Sequence, residues 1–348
     1  PELSRGLGDV YKRQLLSPVL EGVVQSIESS IPLRISMVVL IVASNSDEAS
    51  MNLCSAVLRL PGWSQEHSSI NGKYRIHESG LVNLLVIDEL HILANHIDID
   101  YEKSTGISVE NVLILSRHVS SSQTPAMTLH AIGIPGILPY GEEGRSGGVN
   151  GILVPPNPFF ASLFRTMNAF ATERKLGNEF DLTLETTHHG PVLSKPTLYV
   201  EIGSTEKEWS RTDVADCWAE SISHALGMNS GSLKNLDENI DVMIGFGGGH
   251  YAPRHKAIIL NSNFYLGHVI ANYSLIFDDN NPSEKPTGPW INCIVKTVES
   301  TRISFPNNNI FAHLDRKSFK GWQRSAIIEK LAELGIPVRR GKEILQRE

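Results

Sequence analysis

Short apolar runs rich in β-branched residues alternate along this chain with longer amphipathic segments, and this alternation constrains the fold most strongly. Apolar runs of strand length that alternate with helical segments are typical of α/β proteins. Because the runs are apolar throughout, we expect the sheet to be covered on both faces. The pattern predicts an α/β fold with a mixed, largely parallel sheet flanked by helices. The predicted strands are Ser36–Ser44, Leu81–Asp88, Val112–Ser116, Ala126–Ile132, Leu182–Thr186, Thr197–Gly203, Asp241–Gly245 and Ile291–Val298.

Three helices are predicted from apolar residues spaced three and four apart. They lie at Asn157–Gly177, Thr212–Gly227 and Trp322–Leu334. Asparagine is favoured at the residue that caps a helix start, and glycine at the position that follows its end. The apolar residues of these segments are therefore interpreted as core-facing.

The composition bounds the domain organisation and the partners. With 348 residues, 41% of them hydrophobic, the chain can bury a large core in one domain or in two intimate α/β subdomains. Its formal charge of −7 argues against a broad cationic surface for nucleic acid and predicts no DNA partner. No apolar run reaches the roughly 18 residues of a membrane span, so no membrane partner is expected. Three widely spaced cysteines indicate reduced thiols in the cytoplasm, and they are also compatible with the nucleus.

The first residues carry no pattern typical of folded protein. Residues Pro1–Gln14 have no apolar periodicity and resemble a translated linker. We interpret residues 1–35 as a non-native or disordered extension, and residues 36–348 as the catalytic domain.

The segment Glu185-Thr186-Thr187-His188-His189-Gly190-Pro191 places a carboxylate and two histidines before a turn. Imidazole is both a general base near neutral pH and a common metal ligand. Adjacent residues of an extended chain face opposite ways, so His188 and His189 are not expected to share one task. One acts as a base or ligand while a carboxylate orients the other, unless the segment is only a solvated polar turn.

A glycine-rich turn, Gly247–Gly249, follows the predicted strand Asp241–Gly245. Its consecutive backbone amides are suited to bind an anion or to form an oxyanion hole, although a structural turn would look the same. The basic residues after it are candidates for binding phosphate: Arg254, His255 and Lys256.

Further candidates lie at or inside predicted strands. Arg117 and His118 end one strand, where ligands bind in open α/β sheets. His130, inside an apolar strand, is either a hydrogen-bonded core residue or a metal ligand. Glu201 lies within another apolar strand, where a lone carboxylate is costly to bury, so we expect it to contact a histidine. The sequence contains no HExxH or CxxC motif and no GxSxG elbow between a strand and a helix, which argues against zincins, thioredoxin-like redox proteins and α/β-hydrolases.

Several motifs occur together in one order and resemble the archaeal and plant type of D-aminoacyl-tRNA deacylase. The resemblance runs from about Ser36 to the C-terminus. Its motifs are Ser116-Arg117-His118, Thr128-Leu129-His130, Glu185–Pro191, Glu201-Ile202-Gly203-Ser204 and Gly247-Gly248-Gly249-His250-Tyr251-Ala252-Pro253-Arg254.

The resemblance implies hydrolysis of the ester that joins a D-amino acid, such as D-tyrosine, to the 3′ end of tRNA. This reaction frees the amino acid and the tRNA, in translation quality control and detoxification. The resemblance also implies a phosphorylase/hydrolase-like fold, similar to peptidyl-tRNA hydrolase, and a zinc cofactor. We expect a monomer.

Roles for individual residues follow from combining this activity with the motifs. Ester hydrolysis requires an activated water and donors for the oxyanion. His188 or His189 would activate water, directly or as a zinc ligand, with Glu185 or Glu201 orienting it. His250 and the glycine amides would stabilise the tetrahedral intermediate. The candidate metal ligands are His130, His188, His189 and Glu201, and the candidate substrate-binding residues are Arg117, His118, Gly247, Gly248, Gly249, Tyr251, Arg254, His255 and Lys256.

Two other functions are consistent with the same residues. A zinc-dependent amidohydrolase or peptidase would act on small N-acyl substrates without tRNA. A non-catalytic RNA-binding protein would keep its function after His188→Ala or His189→Ala.

Overall fold

The structure is a computed structural model that describes residues 37–136, 147–233, 235–278 and 285–345. These residues belong to one compact unit that begins at Met37. The predicted extension 1–35 and much of the loop before Asn157 lie outside the described residues, and the boundaries of the predicted domain stay a prediction.

The described residues form two sheets with helices on their faces. The strands are β1 Val38–Ser44, β2 His67–Ser69, β3 Gly72–Ile76, β4 Val82–Ile87, β5 Val109–Arg117, β6 Ala126–His130, β7 Asp181–Leu184, β8 Thr197–Gly203, β9 Val242–Phe246, β10 Tyr265–Ile270 and β11 Ile310–Leu314. The helices are α1 Glu48–Arg59, α2 Ile97–Thr105, α3 Phe160–Glu173, α4 Glu206–Trp209, α5 Thr212–Ala225, α6 Pro253–Leu260, α7 Trp290–Ser304, α8 Gly321–Glu333 and α9 Gly341–Leu345.

The larger sheet has eight strands in the order β2-β3-β4-β1-β5-β8-β6-β7. Its centre is parallel, because β4, β1, β5 and β8 all run in one direction. The pair β6 and β7 runs antiparallel to β8, and β3 and β2 extend the other edge as an antiparallel hairpin. The mixed, largely parallel α/β sheet predicted from the sequence is therefore confirmed.

Both faces of the larger sheet are buried, as the apolar strands predicted. In β1, Val39 and Ile41 pack under α1, α3 and α5, which include Leu53, Phe164 and Trp218. The alternate residues of β1 face a smaller core with α2 on the other side of the sheet. Alternation of side chains along a strand accounts for this two-sided burial.

The smaller sheet is parallel, with the order β10-β9-β11, and packs with α7 and α8 around a separate apolar core. Arg165 of α3 ties the two parts together. Its guanidinium Nη1 donates at 3.1–3.2 Å to the carbonyl oxygen of Ile259 at the end of α6 and to those of Ser262 and Phe264 in the connection that leads into β10.

One predicted strand is wrong. Residues Ile291–Val298 lie inside helix α7, where Cys293, Ile294, Thr297 and Val298 are buried at spacings of one, three and four residues. A short apolar run is consistent with both a strand and a buried helix. Here the buried residues are spaced as in a helix. Among the described helices, none combines the length and apolar character that a bilayer span requires.

Candidate active site

The segment that follows β7 joins the two sheets. The backbone amide of Glu185 donates to Leu129 of β6, and that of Thr187 donates to Val269 of β10. The carbonyl oxygen of His189 accepts from the amide of Gly133, just beyond β6. His189 itself adopts a positive φ of 43°, which turns the chain at this point. Carboxylate and imidazole groups from both sheets therefore converge on this junction.

Glu185 is a buried carboxylate surrounded by three imidazoles. Its Oε1 atom lies 3.0 Å from Nδ1 of His118, and its Oε2 atom lies 3.0 Å from Nε2 of His250. Nε2 of His188 lies 3.6 Å from the same Oε2. His118 follows β5, and His250 follows the glycine turn after β9. Three separate chain segments thus position histidines on one carboxylate.

Glu201 of β8 forms a second buried carboxylate beside the first. Its oxygens lie 3.3 Å from Nδ1 of His118 and 3.5 Å from Nε2 of His130, and Thr128 donates to it at 3.2 Å. The antiparallel register opposes Thr128 to Glu201, which places His130 two residues further along β6. The expected contact of Glu201 with a histidine is confirmed.

Three histidine rings pack against one another next to these carboxylates. The ring centroids of His130 and His188 are 4.1 Å apart, and His189 packs edge-on against both, at 4.8 and 4.6 Å. Each ring has its Nδ1 atom at a backbone carbonyl, 2.6–3.1 Å away. A histidine that donates Nδ1–H to a carbonyl keeps its Nε2 lone pair for a ligand.

The histidines of the site differ widely in pKa. Burial opposes a charge on His118, but the carboxylates of Glu185 and Glu201 outweigh it and raise its pKa to about 12. Burial, together with the charge of His130, lowers the pKa of His189 to about 3 and holds that of His188 well below its usual range.

In the other buried groups, too, charged neighbours outweigh the effect of burial on the pKa. Burial alone would raise the pKa of Glu185, yet His118 and His250 hold it well below the ordinary value. The pKa of Glu201 is likewise low because His118 and His130 outweigh its burial. Glu201 in turn raises the pKa of His130 against the effect of burial. The site therefore combines a protonated imidazole, neutral imidazoles and ionised carboxylates.

These groups border a cavity of about 330 Å³. His118, His188, His189, Glu201 and His250 line it, and 31% of the His250 side chain is exposed. Larger cavities of about 600 and 590 Å³ lie elsewhere, but no histidine lines either of them. The chemistry of its lining marks the smaller cavity as the candidate active site.

Sequence reasoning missed three residues at this cavity, of which Asp47 and His91 line it and Tyr199 lies beside it. Asp47 caps α1, accepts from the backbone amide of Ser50, and lies 3.1 Å from Nε2 of His91. Nδ1 of His91 is 3.1 Å from the hydroxyl of Tyr199, whose ring packs against His189 at 4.6 Å. No local pattern links these residues, although Asp47 does follow the polar end of a predicted strand.

The structure places the predicted substrate-binding residues in different settings. Tyr251 and Arg117 lie at the site: the Tyr251 hydroxyl is 2.8 Å from Nε2 of His118, and Arg117 borders the cavity with its guanidinium over Trp209. The amides of Gly247 and Gly248 already donate to Ile270 O and Ser318 Oγ, both at 2.8 Å.

Three predicted basic residues are engaged elsewhere. Arg254 pairs with Asp315 at 2.5 Å, and Lys256 pairs with Asp181 at 3.0 Å. His255 is fully buried, with Nε2 3.2 Å from the carbonyl oxygen of His313. The structure therefore does not bring these three residues to the cavity with the histidines.

The buried donor set fits a metal ion. Three groups each offer ligand atoms that all lie within 4.8 Å of one another: His130–His188–His189, His118–Glu185–His250 and His130–Glu185–Glu201. Nε2 of His130 is buried and makes no hydrogen bond within the described residues, with Oε1 of Glu201 3.5 Å away. The site could hold a metal, and its nitrogen-rich first group has the donors that zinc prefers.

Together the fold and the site define an α/β protein with a buried carboxylate–imidazole centre suited to hydrolysis. Comparisons with known proteins specify the class further. A sequence model of the D-aminoacyl-tRNA deacylase family matches residues 105–339. A D-aminoacyl-tRNA deacylase of Arabidopsis thaliana is 38% identical over 314 residues, covering 87% of this chain and 98% of the relative. One of Methanosarcina mazei is 32% identical over 316 residues, covering 87% and 92%.

The chain belongs to the D-aminoacyl-tRNA deacylase family, and the resemblance drawn from its motifs is confirmed. It is an ester hydrolase that deacylates D-aminoacyl-tRNA. A crystal structure of a conserved protein of unknown function superposes on this chain with a TM-score of 0.71 and 27% identity, covering 89% of this chain and 98% of the other.

Proposed function

We propose that His250 and Glu185 form the proton-transfer pair of the deacylation, at a site that holds zinc on His130, His188 and His189. The observation that carries the proposal is the position of His250. Its imidazole lines the cavity and is partly exposed, while its Nε2 contacts the fully buried carboxylate of Glu185 at 3.0 Å. A buried carboxylate behind an imidazole orients the ring and stabilises the imidazolium that forms when it takes a proton.

In this reaction His250 takes a proton from the attacking water. It then returns the proton to the 3′ oxygen of the departing tRNA, since the same group serves as base and acid in successive steps. Glu185 stays ionised throughout, in keeping with its low pKa.

Tyr251 and His118 stabilise the oxyanion. Protonated His118 donates from Nε2 to the Tyr251 oxygen at 2.8 Å, which leaves the phenolic proton for donation to the substrate. His118 also brings a fixed positive charge to the cavity, where a low dielectric strengthens its effect on developing negative charge. This role replaces the one predicted for the amides of Gly247 and Gly248, which already have acceptors.

The metal proposal rests on the tautomers that the backbone favours. The carbonyl oxygens of Ala131, Thr186 and Gly190 face Nδ1 of the three packed histidines, so their Nε2 atoms are suited to bind zinc. When bound, a zinc ion would supply Lewis-acid polarisation of the ester or of water. Glu201, beside His130, would compensate the charge.

The cysteines support a cytoplasmic location. All three are buried free thiols, and reduced thiols are typical of proteins in a reducing compartment. There the chain would release D-amino acids and tRNA for reuse, which is a quality-control function.

Glu185→Gln tests the proton-transfer pair. The amide keeps the shape but removes the charge that stabilises the His250 imidazolium, so we expect kcat on D-tyrosyl-tRNA to fall by about 10²- to 10⁴-fold. Single-turnover loss of the D-ester, with L-tyrosyl-tRNA run in parallel, measures it. Glu208→Gln is the matched control, since Glu208 is a buried carboxylate that caps α4 away from the cavity.

A wild-type rate in a folded Glu185→Gln protein would rule out the pair. Zinc is tested separately by the metal content of purified protein, which we expect to be near-stoichiometric and to be lost in His189→Ala. His268→Ala, which alters a buried histidine outside the donor groups, should retain the metal. Equal zinc content in both variants would contradict the assignment.

A further inference from the structure

Two loops at the same edge of the smaller sheet lie against each other. Strands β9 and β11 are adjacent and parallel, so the segments that follow them emerge side by side. After β9 comes the Gly247–Gly249 turn, and after β11 comes the segment 315–320, here called the basic loop. The amide of Gly248 donates to Ser318 Oγ at 2.8 Å, and the amide of Asp315 donates to Phe246 O at 2.8 Å.

This contact places the basic loop next to the active site. The glycine turn continues directly into His250, whose Nε2 lies 3.0 Å from Glu185. The basic loop therefore packs on the same short segment that delivers His250 to the cavity.

Three cations in the basic loop are exposed and uncompensated. Arg316, Lys317 and Lys320 are exposed, and none forms an ion pair with a residue in the described ranges. By contrast, Arg254 and Lys256 are neutralised by Asp315 and Asp181. In a chain of net charge −7, a cluster of three unpaired cations within five residues creates a local positive potential.

The backbone of the basic loop is held in place by hydrogen bonds from α8. Arg324 of α8 donates from Nη1 to the carbonyl oxygens of Arg316 and Phe319, at 3.0 and 2.7 Å. Trp322, at the start of α8, keeps 45% of its surface exposed beside the loop. Cations fixed near an exposed aromatic ring are typical of surfaces that bind nucleic acid.

We propose that Arg316, Lys317 and Lys320 bind phosphates of the acceptor arm of tRNA while its 3′ end occupies the cavity. The proposal rests on the proposed function, because it takes the substrate of that site as the ligand. Contacts to phosphates position a nucleic acid without reading its sequence, so this surface would serve tRNAs regardless of their amino acid. It also supplies cations for phosphate binding, a role in which Arg254 and Lys256 are not available because both are paired with aspartates.

A triple variant, Arg316→Ser, Lys317→Ser and Lys320→Ser, tests the proposal through affinity for uncharged tRNA. Three lost phosphate contacts should reduce the slope of log affinity against log salt by about 2 to 3, and weaken binding at low salt roughly 10- to 100-fold. The matched control replaces Lys285, Lys296 and Lys330 by serine, which removes the same charge from lysines already paired with glutamates.

A second substrate separates binding from chemistry. Hydrolysis of the adenosine ester of D-tyrosine, which has no phosphate, should be unchanged in the triple variant, while KM for D-tyrosyl-tRNA rises. Unchanged tRNA affinity and salt slope would overturn the proposal, as would equal losses in the control. Loss of binding to anionic vesicles with unchanged tRNA affinity would also overturn it. If the wild type binds tRNA through these residues but cleaves neither ester, the proposed function fails and this surface stands.

Discussion

The side chain of Tyr199 connects His130 and His189 to the imidazole of His91. Its hydroxyl is 3.1 Å from Nδ1 of His91, and its ring packs edge-on against His189 at 4.6 Å and stacks on His130 at 5.2 Å. The hydroxyl therefore fixes the ring, and the ring fixes the imidazoles. Groups that orient metal ligands from behind typically change metal affinity or activity by about 10- to 100-fold when removed.

We expect Tyr199→Phe to lower kcat on D-tyrosyl-tRNA by about tenfold and to weaken zinc binding by a similar factor. KM should change little, because Tyr199 does not line the cavity. Steady-state kinetics and a competitive chelator titration measure the two effects. Tyr101→Phe is the control, since it removes an equally buried hydroxyl that accepts from Asn83 far from the histidines. Equal kcat in the two variants would show that the Tyr199 hydroxyl has no positioning role.

The site residues that could be predicted from the sequence are those that lie close to one another along the chain. Glu185 and His188 occur in one short polar segment after an apolar run, so their proximity is encoded locally. Asp47, His91 and Tyr199 come from a helix cap, a short turn and a strand, and no spacing relates them. Their association depends on the order of strands in the sheet, which composition and periodicity do not determine.

The turn after β9 is the element that aligns the basic loop with the active site, and Gly247 is a sterically constrained position within it. Gly247 has a φ of 99°, a backbone conformation that other residues adopt only with strain. A Cβ at this position would also lie 2.9–3.0 Å from atoms of Phe319, Asp315 and Ser318.

Gly247→Ala should therefore destabilise the protein by about 1–3 kcal/mol and reduce deacylation, because relief of the clash moves His250. Gly249→Ala is the matched control: the added methyl meets open space, and the effect should stay within about 0.5 kcal/mol. Both variants keep the backbone amides, so thermal unfolding and initial rates isolate the effect of the side chain. Similar losses in both variants would show that the turn is not sterically constrained.

Whether a segment forms a helix or a strand could be predicted where its length and the residues at its ends indicate the same structure. It could not be predicted elsewhere. The helical spacing after Asn157 predicts α3, but the N-cap of this helix is Phe159 and not Asn157, whose Oδ1 accepts from the amide of Phe159. The sequence predicts a strand at Ile291–Val298, within helix α7, because this run is short, apolar and rich in β-branched residues. Burial against the smaller sheet overrode that β preference, as tertiary context commonly does.

At the scale of the whole molecule, the smaller sheet buries three histidines that have no carboxylate strong enough to keep them charged. Burial lowers the pKa of His255 to about 4 and those of His268 and His313 to about 3, from 6.5. Their neutral forms are therefore favoured in the folded state, whereas the unfolded chain takes up protons below pH 6.5. The free energy of unfolding should fall as pH decreases from about 6.5 towards 4, by up to about 1.4 kcal/mol per pH unit for each group.

His268 allows this contribution to be measured alone. Its ring nitrogens lie 3.0 Å from Thr187 Oγ1 and 3.1 Å from Ser300 Oγ, both neutral partners, and burial alone lowers its pKa. In His268→Gln the group no longer titrates, so the slope of unfolding free energy against pH between 6 and 4 should decrease by about 1.4 kcal/mol per unit. Urea denaturation at several pH values measures this slope, even if the substitution lowers stability at every pH. An unchanged slope would mean that folding does not change the protonation of His268.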